Sequence, residues 1–199
     1  QLKGRDKDNE AAEQTPPQPA QRTWRKPDRT ASGGREYGNV MNAVLQYLRF
    51  DRCATAEGLE EEINRLTGRG LLKPEQAEQV DRQGILALFE TELGRRLIHG
   101  QVLREFKFSI LDDAEKYGRN LAGEQVLLQG VVDCALVEED GITVVDFKTD
   151  FVTEQTLPDV LARYRTQVET YSRALERIYE TKVKGTYLYF FHLKKLIAV

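Results

Sequence analysis

The feature that most constrains the fold is a pair of β-rich segments joined by a short polar connection. Residues 125–137 and 142–149 are rich in Val, Leu, Ile and Thr, and the connection between them includes Asp140-Gly141. An Asp-Gly pair between two such segments is typical of a β-hairpin with a tight turn. The sequence therefore predicts two adjacent antiparallel strands in this part of the chain.

The segments on either side of this hairpin predict an α/β fold. Apolar residues at helical spacing predict helices over residues 38–50, 56–66, 74–90, 93–98 and 157–180. Alternation of apolar and polar residues predicts further strands around 106–110, 186–192 and 196–199. We therefore expect a mixed central β-sheet flanked by helices, preceded by an N-terminal helical region.

The first 37 residues have a different composition from the remainder of the chain. Four of the six prolines fall among them, within a stretch dominated by Gln, Asp, Lys and Arg. Such a segment buries too little apolar surface to offset its ordering entropy. We expect residues 1–37 to be an extended linker or tail and residues 38–199 to form one folded domain. The absence of an initiator Met suggests a piece of a longer chain.

Charge and composition exclude several classes of protein. The formal charge is −3, and residues 38–199 carry −5 because the first 37 residues carry +2. An acidic domain argues against a free-standing nucleic-acid binder with a broad basic surface. No apolar run approaches the roughly 18–20 residues of a membrane-spanning helix. Two cysteines cannot supply a four-thiolate metal site, and a reducing, intracellular compartment is expected.

The second strand of the hairpin carries its charges on one face. Strand alternation puts Asp146 and Lys148 on one side and Val145 and Phe147 on the other. The charged face is therefore set apart from the face that enters an apolar core.

The register of the hairpin decides which residue of the first strand joins this face. If Asp140 and Gly141 form a two-residue turn, the ladder puts Asp133 opposite Lys148 and diagonal to Asp146. A slip of one residue would turn Asp133 to the opposite face. Two carboxylates and an amine on one face suit phosphodiester hydrolysis, because carboxylates hold Mg²⁺ and an amine can stabilise charge on phosphate. The alternative is a surface Asp–Lys salt bridge.

Four ordered motifs in the chain resemble those of a known family. Residues 130–133 and 144–150, together with 104–108 and 167–171, resemble the PD-(D/E)xK nucleases, in the version carried by RecB-like helicase–nucleases. The resemblance implies a restriction-endonuclease-like core over residues 38–199.

The resemblance also assigns roles to residues of the hairpin. It implies that Asp133 and Asp146 bind metal, that the Phe147 carbonyl completes the coordination sphere, and that Lys148 is the catalytic lysine. The implied cofactor is Mg²⁺, with Mn²⁺ as a second possibility.

The flanking motifs add further candidate site residues. The resemblance makes Glu105 and Gln167 members of the site, although a solvated edge charge is an alternative for Glu105. Gln167 and Tyr171 are four residues apart on one edge of the long helix, and Arg163 lies one turn before them. Arg163 and Tyr171 are candidates for contact with DNA, but Tyr171 also belongs to the apolar stripe of the helix.

The sequence departs from the family pattern at Asn42, where family members place a metal-binding His in the first helix. An Asn carbonyl can ligate Mg²⁺ or hold a metal-bound water, but it is a weaker ligand than imidazole.

The favoured function is a Mg²⁺-dependent nuclease that hydrolyses single-stranded DNA. The resemblance implies that it is the nuclease module of a helicase–nuclease that processes double-strand breaks for recombination repair. The implied partners are single-stranded DNA, a helicase motor in the rest of the same chain and a second helicase–nuclease subunit, with no membrane. The implied location is the cytoplasm of a bacterium, at the nucleoid. Alternatives are a degenerate nuclease fold kept for DNA binding or scaffolding, and a free-standing restriction-type endonuclease.

Overall fold

The computed structural model describes residues 22–23, 32–116 and 123–199, which form six α-helices around a six-stranded sheet. The helices are α1 Ser32–Tyr47, α2 Ala56–Gly68, α3 Pro74–Glu78, α4 Arg82–Glu90, α5 Glu92–His99 and α6 Leu157–Tyr179. The strands are β1 Arg22–Thr23, β2 Gln101–Asp113, β3 Gln125–Glu138, β4 Gly141–Lys148, β5 Val183–Phe190 and β6 Lys195–Ala198. The predicted α/β fold with an N-terminal helical region is confirmed.

The sheet is mixed, as the sequence predicted. The main strand order is β2-β3-β4-β5-β6, and the short β1 also pairs with β3. The β2–β3, β3–β4 and β5–β6 pairs are antiparallel, whereas β4 and β5 are parallel and α6 connects them. This crossover fixes the end of β4 between α6 and the end of β5.

Helices cover both faces of the sheet because the central strands are buried on both sides. One apolar cluster joins α1, α2, α4 and α5 to one face, where Val145 and Phe147 lie. Two smaller clusters join α6 to the opposite face through Tyr171 and Tyr164. Asp146 and Lys148, which alternate with Val145, therefore face α6.

The start of the folded region and one of the expected helices differ most from the prediction. Helix α1 begins at Ser32, six residues before the expected boundary of the folded domain, and β1 lies within the segment expected to be a linker. The linker over residues 1–37 otherwise stays a prediction, since most of it lies outside the described residues. The expected helix over 74–90 is interrupted, because the Asp81 side chain accepts a hydrogen bond from the Gly84 amide (2.8 Å) and begins α4 as its N-cap.

The hairpin register also differs from the predicted one. Glu138 pairs with Gly141, so the turn residues are Glu139 and Asp140. Gly141 begins β4 with a φ of +145°, which favours glycine. The ladder, which runs from Cys134–Val145 to Glu138–Gly141, is therefore shifted by two residues, and its next rung joins Asp133 to the level of Asp146 and not of Lys148 as predicted. A shift of two preserves the face of each side chain within the paired residues.

Within the described parts of the chain, no helix is long and apolar enough to span a membrane.

Candidate active site

Three acidic residues occupy one rung across three neighbouring strands. Pairing of β2 with β3 on either side of Glu105 puts it opposite Asp133, and the β3–β4 ladder brings Asp133 to the level of Asp146. We call Glu105, Asp133 and Asp146 the carboxylate row. Asp133 and Asp146 are buried, with exposures of 5% and 0%, whereas Glu105 is half-buried.

The strands are irregular at this rung. Glu105 has a φ of +48°, a conformation that costs a non-glycine residue about 1–3 kcal/mol. Val132 and Ala135 enter the same apolar cluster beside α6 although one is even-numbered and the other odd, so β3 changes its inward face here. The Asp133 carboxylate accepts a hydrogen bond from the Phe147 amide at 3.0 Å, in the position of the next main-chain bond of the ladder. The irregularity lets acidic side chains occupy an otherwise apolar face.

Lys148 is the basic member of the site. Its ammonium forms an ion pair with Asp146 and donates a hydrogen bond to the Gln167 side-chain carbonyl at 3.0 Å. It also lies over the ring of Tyr164, with 3.5 Å between Nζ and the ring centroid. Lys148 is only 3% exposed, so these contacts take the place of water.

Gln167 connects the lysine to Tyr171. Its side-chain amide donates to the Tyr171 hydroxyl at 2.6 Å. Burial raises the pKa of Tyr171, and the negative charges of Asp146, Asp133 and Glu105 raise it further, while the hydrogen bond from Gln167 lowers it. The phenol therefore stays protonated, and its pKa responds to all three carboxylates of the row.

Glycine at position 130 allows Tyr171 to approach the sheet. A Cβ atom on Gly130 would lie 2.7 Å from the Phe108 ring and 3.2 Å from the Tyr171 ring. Phe108 and Tyr171 meet edge to face, with 5.9 Å between their centroids. The glycine that opens the motif at 130–133 thus keeps α6 close to the carboxylate row.

The donor set fits a hard divalent cation. Buried carboxylates carry negative charge that a bound cation can neutralise. Mg²⁺ and Mn²⁺ prefer oxygen ligands such as these. Asp133, Asp146 and the Phe147 carbonyl are the groups that would hold such an ion. In the described part of the chain, no three His, Cys, Asp or Glu side chains form an assembled metal cluster. Asp146 turns instead to Lys148, and Asp133 to the Phe147 amide.

The remaining predicted site residues lie at different depths around this centre. Asn42 is half-buried on α1. Near its start, α1 lines a cleft together with Thr149, which follows β4. Just after its end, the Leu48 carbonyl accepts a hydrogen bond from Arg104 of β2. Asn42 thus lies on a helix that extends from the end of β4 to β2.

The two candidates for DNA contact differ in exposure. Arg163 is exposed, and its guanidinium lies 5.6 Å from the Tyr164 ring centroid. Tyr171 is 3% exposed and packs in the core, which favours its core role over stacking on a base.

Sequence reasoning missed the contact between Tyr164 and Lys148. Tyr164 was not among the candidate site residues. Its position three residues before Gln167 puts both on one side of the helix, and that spacing was the available signal. Asp150 was likewise missed, and its carboxylate accepts a hydrogen bond from the Tyr164 hydroxyl at 2.6 Å.

Comparison with known proteins identifies the family of the chain. A sequence model described as the PD-(D/E)XK nuclease superfamily matches residues 18–197. Three relatives are each named as one subunit of an ATP-dependent helicase/nuclease. The relative from Bacillus cytotoxicus is 35% identical over 175 residues, or 82% of this chain and 14% of the relative. Those from Thermoanaerobacter sp. (strain X514) and Bacillus mycoides are 37% and 36% identical, each over 78% of this chain and 13% and 14% of the relative.

The chain therefore spans about 14% of the length of the Bacillus cytotoxicus relative. The resemblance to the nuclease region of a helicase–nuclease of the AddA type is confirmed. The matched residues include the whole carboxylate row and α6. The chain belongs to the PD-(D/E)XK nuclease superfamily.

Proposed function

We propose that this chain is a Mg²⁺-dependent deoxyribonuclease that hydrolyses single-stranded DNA from an end. The observation that carries the proposal is the burial of Asp146 and Lys148 side by side, with Asp133 on the same rung as Asp146 and Gln167 above the lysine. A surface salt bridge, the alternative from the sequence, would be solvated and would have no reason to be enclosed by a helix.

The residues of the chain divide the work of hydrolysis. A bound divalent cation would polarise the scissile phosphate and lower the pKa of its bound water. Asp133 and Asp146 would hold that cation, with Asn42 as an added oxygen ligand and Glu105 beside them. Lys148 would orient the attacking water or stabilise negative charge on the phosphate.

Single strands are the favoured substrate because the chain needs its substrate to be delivered. Residues 38–199 carry a net charge of −5, which repels a DNA backbone at long range. We expect a helicase motor in the rest of the same chain to supply the strand, with exposed Arg163 contacting it.

The relatives suggest the larger assembly. They are named as subunits of a helicase/nuclease and are several times longer than this chain. We propose that the chain is the nuclease module of such an enzyme, paired with an AddB-like second subunit, and that it processes double-strand breaks for recombination repair at the bacterial nucleoid in the cytoplasm.

The test is hydrolysis of end-labelled single-stranded DNA in Mg²⁺, in Mn²⁺ and in EDTA. Lys148→Met should lower the rate by at least about 100-fold, because it removes a charge that acts on the phosphate. Lys184→Met is the matched control, since Lys184 pairs with Glu138 and Asp140 at the far end of the hairpin. A circular single strand should survive if cleavage requires an end.

Hydrolysis in EDTA at the Mg²⁺ rate would disprove the metal requirement. Equal rates for Lys148→Met and Lys184→Met would disprove the site.

A second candidate is a degenerate nuclease fold that binds DNA without cutting it. The observation in its favour is Asn42, which stands where the family places a His. This candidate predicts that the wild type binds a labelled single strand but leaves it intact with Mg²⁺ and with Mn²⁺. Asn42→His should then restore cleavage. Cleavage by the wild type would exclude this candidate.

A further inference from the structure

The ammonium of Lys148 has three partners, and one of them has no assigned role. Asp146 and Gln167 belong to the motifs of the family, but the third partner is the face of the Tyr164 ring. The ring is 5% exposed and the lysine 3%, so no bulk water separates them.

The ring limits where the ammonium can lie. A lysine side chain has four rotatable bonds and many conformers of similar energy. The Tyr164 ring closes one side of Nζ at 3.5 Å, while Asp146 and Gln167 hold the others. A cation over an aromatic face is attracted to it, and this attraction grows when water is excluded. The contact with the ring therefore restricts Nζ of Lys148 to a position beside the Asp146 carboxylate.

Asp150 fixes the ring in turn. The Tyr164 hydroxyl donates to the Asp150 carboxylate at 2.6 Å, and Asp150 follows Lys148 by two residues. Burial raises the pKa of Tyr164, and the hydrogen bond to Asp150 raises it further, so the phenol keeps the proton it donates. Donation to a carboxylate increases electron density on the ring, which strengthens its hold on a cation.

We propose that Tyr164 and Asp150 are positioning residues that act on hydrolysis through Lys148. They hold the lysine at the end of β4, between Asp146 and α6. This proposal rests on the proposed nuclease function.

The first test separates turnover from substrate binding. Tyr164→Leu removes the ring face and should lower kcat on a single-stranded oligonucleotide roughly 10- to 100-fold, because a displaced catalytic group costs about that much. KM should change less than about twofold, since uniform binding of DNA is untouched. Tyr164→Phe keeps the ring face and should retain kcat within about threefold.

The hydrogen bond between Tyr164 and Asp150 is tested by a double variant. Asp150→Ala should lower kcat at least as much as Tyr164→Phe, since both variants remove the same hydrogen bond. The combination Tyr164→Phe/Asp150→Ala should then be no worse than Asp150→Ala alone. A fall of kcat in the double variant equal to the product of the two single falls would overturn the role of Asp150.

A second readout does not depend on activity. With ¹³Cε-labelled lysine, the ε-methylene protons of Lys148 should be shifted upfield by the ring current of Tyr164, and Lys148→Ala identifies the signal. The shift should persist in Tyr164→Phe and disappear in Tyr164→Leu. An unshifted Lys148 signal in the wild type would overturn the contact itself.

Tyr189→Leu is the matched control for loss of a buried tyrosine. Tyr189 is buried on the opposite face of the sheet, and its hydroxyl donates to the Gly84 carbonyl at 2.7 Å. Its loss should lower Tm but leave kcat of the folded protein unchanged. An equal fall of kcat in Tyr164→Leu and Tyr189→Leu would overturn the positioning role. Absence of hydrolysis in the wild type would overturn the nuclease function as well, so the two failures are distinguishable.

Discussion

Asp146 and Lys148 depend on each other for their burial. Each is enclosed almost completely, and a charge without a partner in such a place is strongly unfavourable. Removing one member of a buried pair costs about 3–5 kcal/mol, whereas replacing both is often nearly neutral. The pair as a whole therefore adds little to stability, although each member depends on the other.

This dependence predicts non-additive stability. Asp146→Asn and Lys148→Met should each lower the free energy of unfolding by about 3 kcal/mol. The double variant should lose less than the sum by at least about 1 kcal/mol, because neither charge is then left alone. Urea denaturation at pH 7 measures all three.

The exposed pair Lys195–Glu154 is the control and should contribute about 0–1 kcal/mol. Additive losses at Asp146 and Lys148 would mean that the ion pair does not govern their burial.

For single residues, the sequence predicted which face of a strand a side chain occupies, but not which residues that side chain contacts. Alternation along β4 was sufficient to predict that Asp146 and Lys148 share a side. The rung of Asp133 was misplaced by two residues because the turn lies at Glu139 and Asp140. Tyr164 was not recognised, since an apolar stripe does not show which of its aromatic residues meets a cation.

Among the elements, α1 and α2 are joined by one buried acid. Glu62 of α2 accepts hydrogen bonds from the Arg49 amide at 2.9 Å and from the Arg65 side chain at 2.7 Å. Arg65 also donates to the Tyr47 carbonyl at the end of α1 (2.8 Å). Burial alone would raise the pKa of Glu62, but the hydrogen bonds from Arg65 and Arg49 outweigh it and lower the pKa to about 2.

The lowered pKa of Glu62 predicts how stability changes with pH. The ordinary pKa is 4.5, so the folded state has the lower value and Glu62 stabilises the fold above pH 4.5. This contribution should disappear as the pH falls from 4.5 towards 2. Glu62→Gln should cost about 3 kcal/mol at pH 7 and progressively less below pH 4.5. The measurement is urea denaturation across this range, with exposed Glu61→Gln as control. A cost for Glu62→Gln that is independent of pH would contradict the interpretation.

The packing of α6 on β3 predicts a second effect at this scale. Gly130→Ala places a methyl group against the Phe108 and Tyr171 rings, which should cost about 1–3 kcal/mol and move α6 outward. Nuclease activity should fall as well, because Gln167 and Tyr171 move with the helix. Thermal unfolding and hydrolysis rates measure the two effects.

Gly68→Ala is the control, since a Cβ there meets nothing within 4 Å. Unchanged Tm and unchanged activity in Gly130→Ala would show that α6 does not depend on this close approach.

Periodicity predicted the elements better than their ends. The stripe on α6 gave that helix to within one residue, because its contacts are repeated along its whole length. The break between α3 and α4 was missed, since it depends on the Asp81 side chain capping the Gly84 amide. The left-handed backbone at Glu105 has no local signal, because Glu is not a residue type that favours a positive φ.

Across the whole molecule, the two faces of the sheet are covered by different helices and differ in polarity. Helices α1 to α5 close one face with an apolar core, and α6 closes the other around the acidic residues and Lys148. The α/β class and the side of the site followed from patterns within single segments. The parallel pairing of β1 with β3 and the start of α1 at Ser32 depend on contacts between distant segments, so periodicity did not reveal them.

The carboxylate row is proposed to hold the ion used in hydrolysis, and this role can be measured directly. The measurement is Mn²⁺ binding by electron paramagnetic resonance, with hydrolysis of a single strand by the same samples. Wild type and exposed control Glu61→Gln should bind Mn²⁺ stoichiometrically, release it to excess Mg²⁺ and cleave DNA. Asp133→Asn and Asp146→Asn should lose both properties while remaining folded. Undiminished Mn²⁺ binding and cleavage by Asp146→Asn would show that the row does not hold the ion.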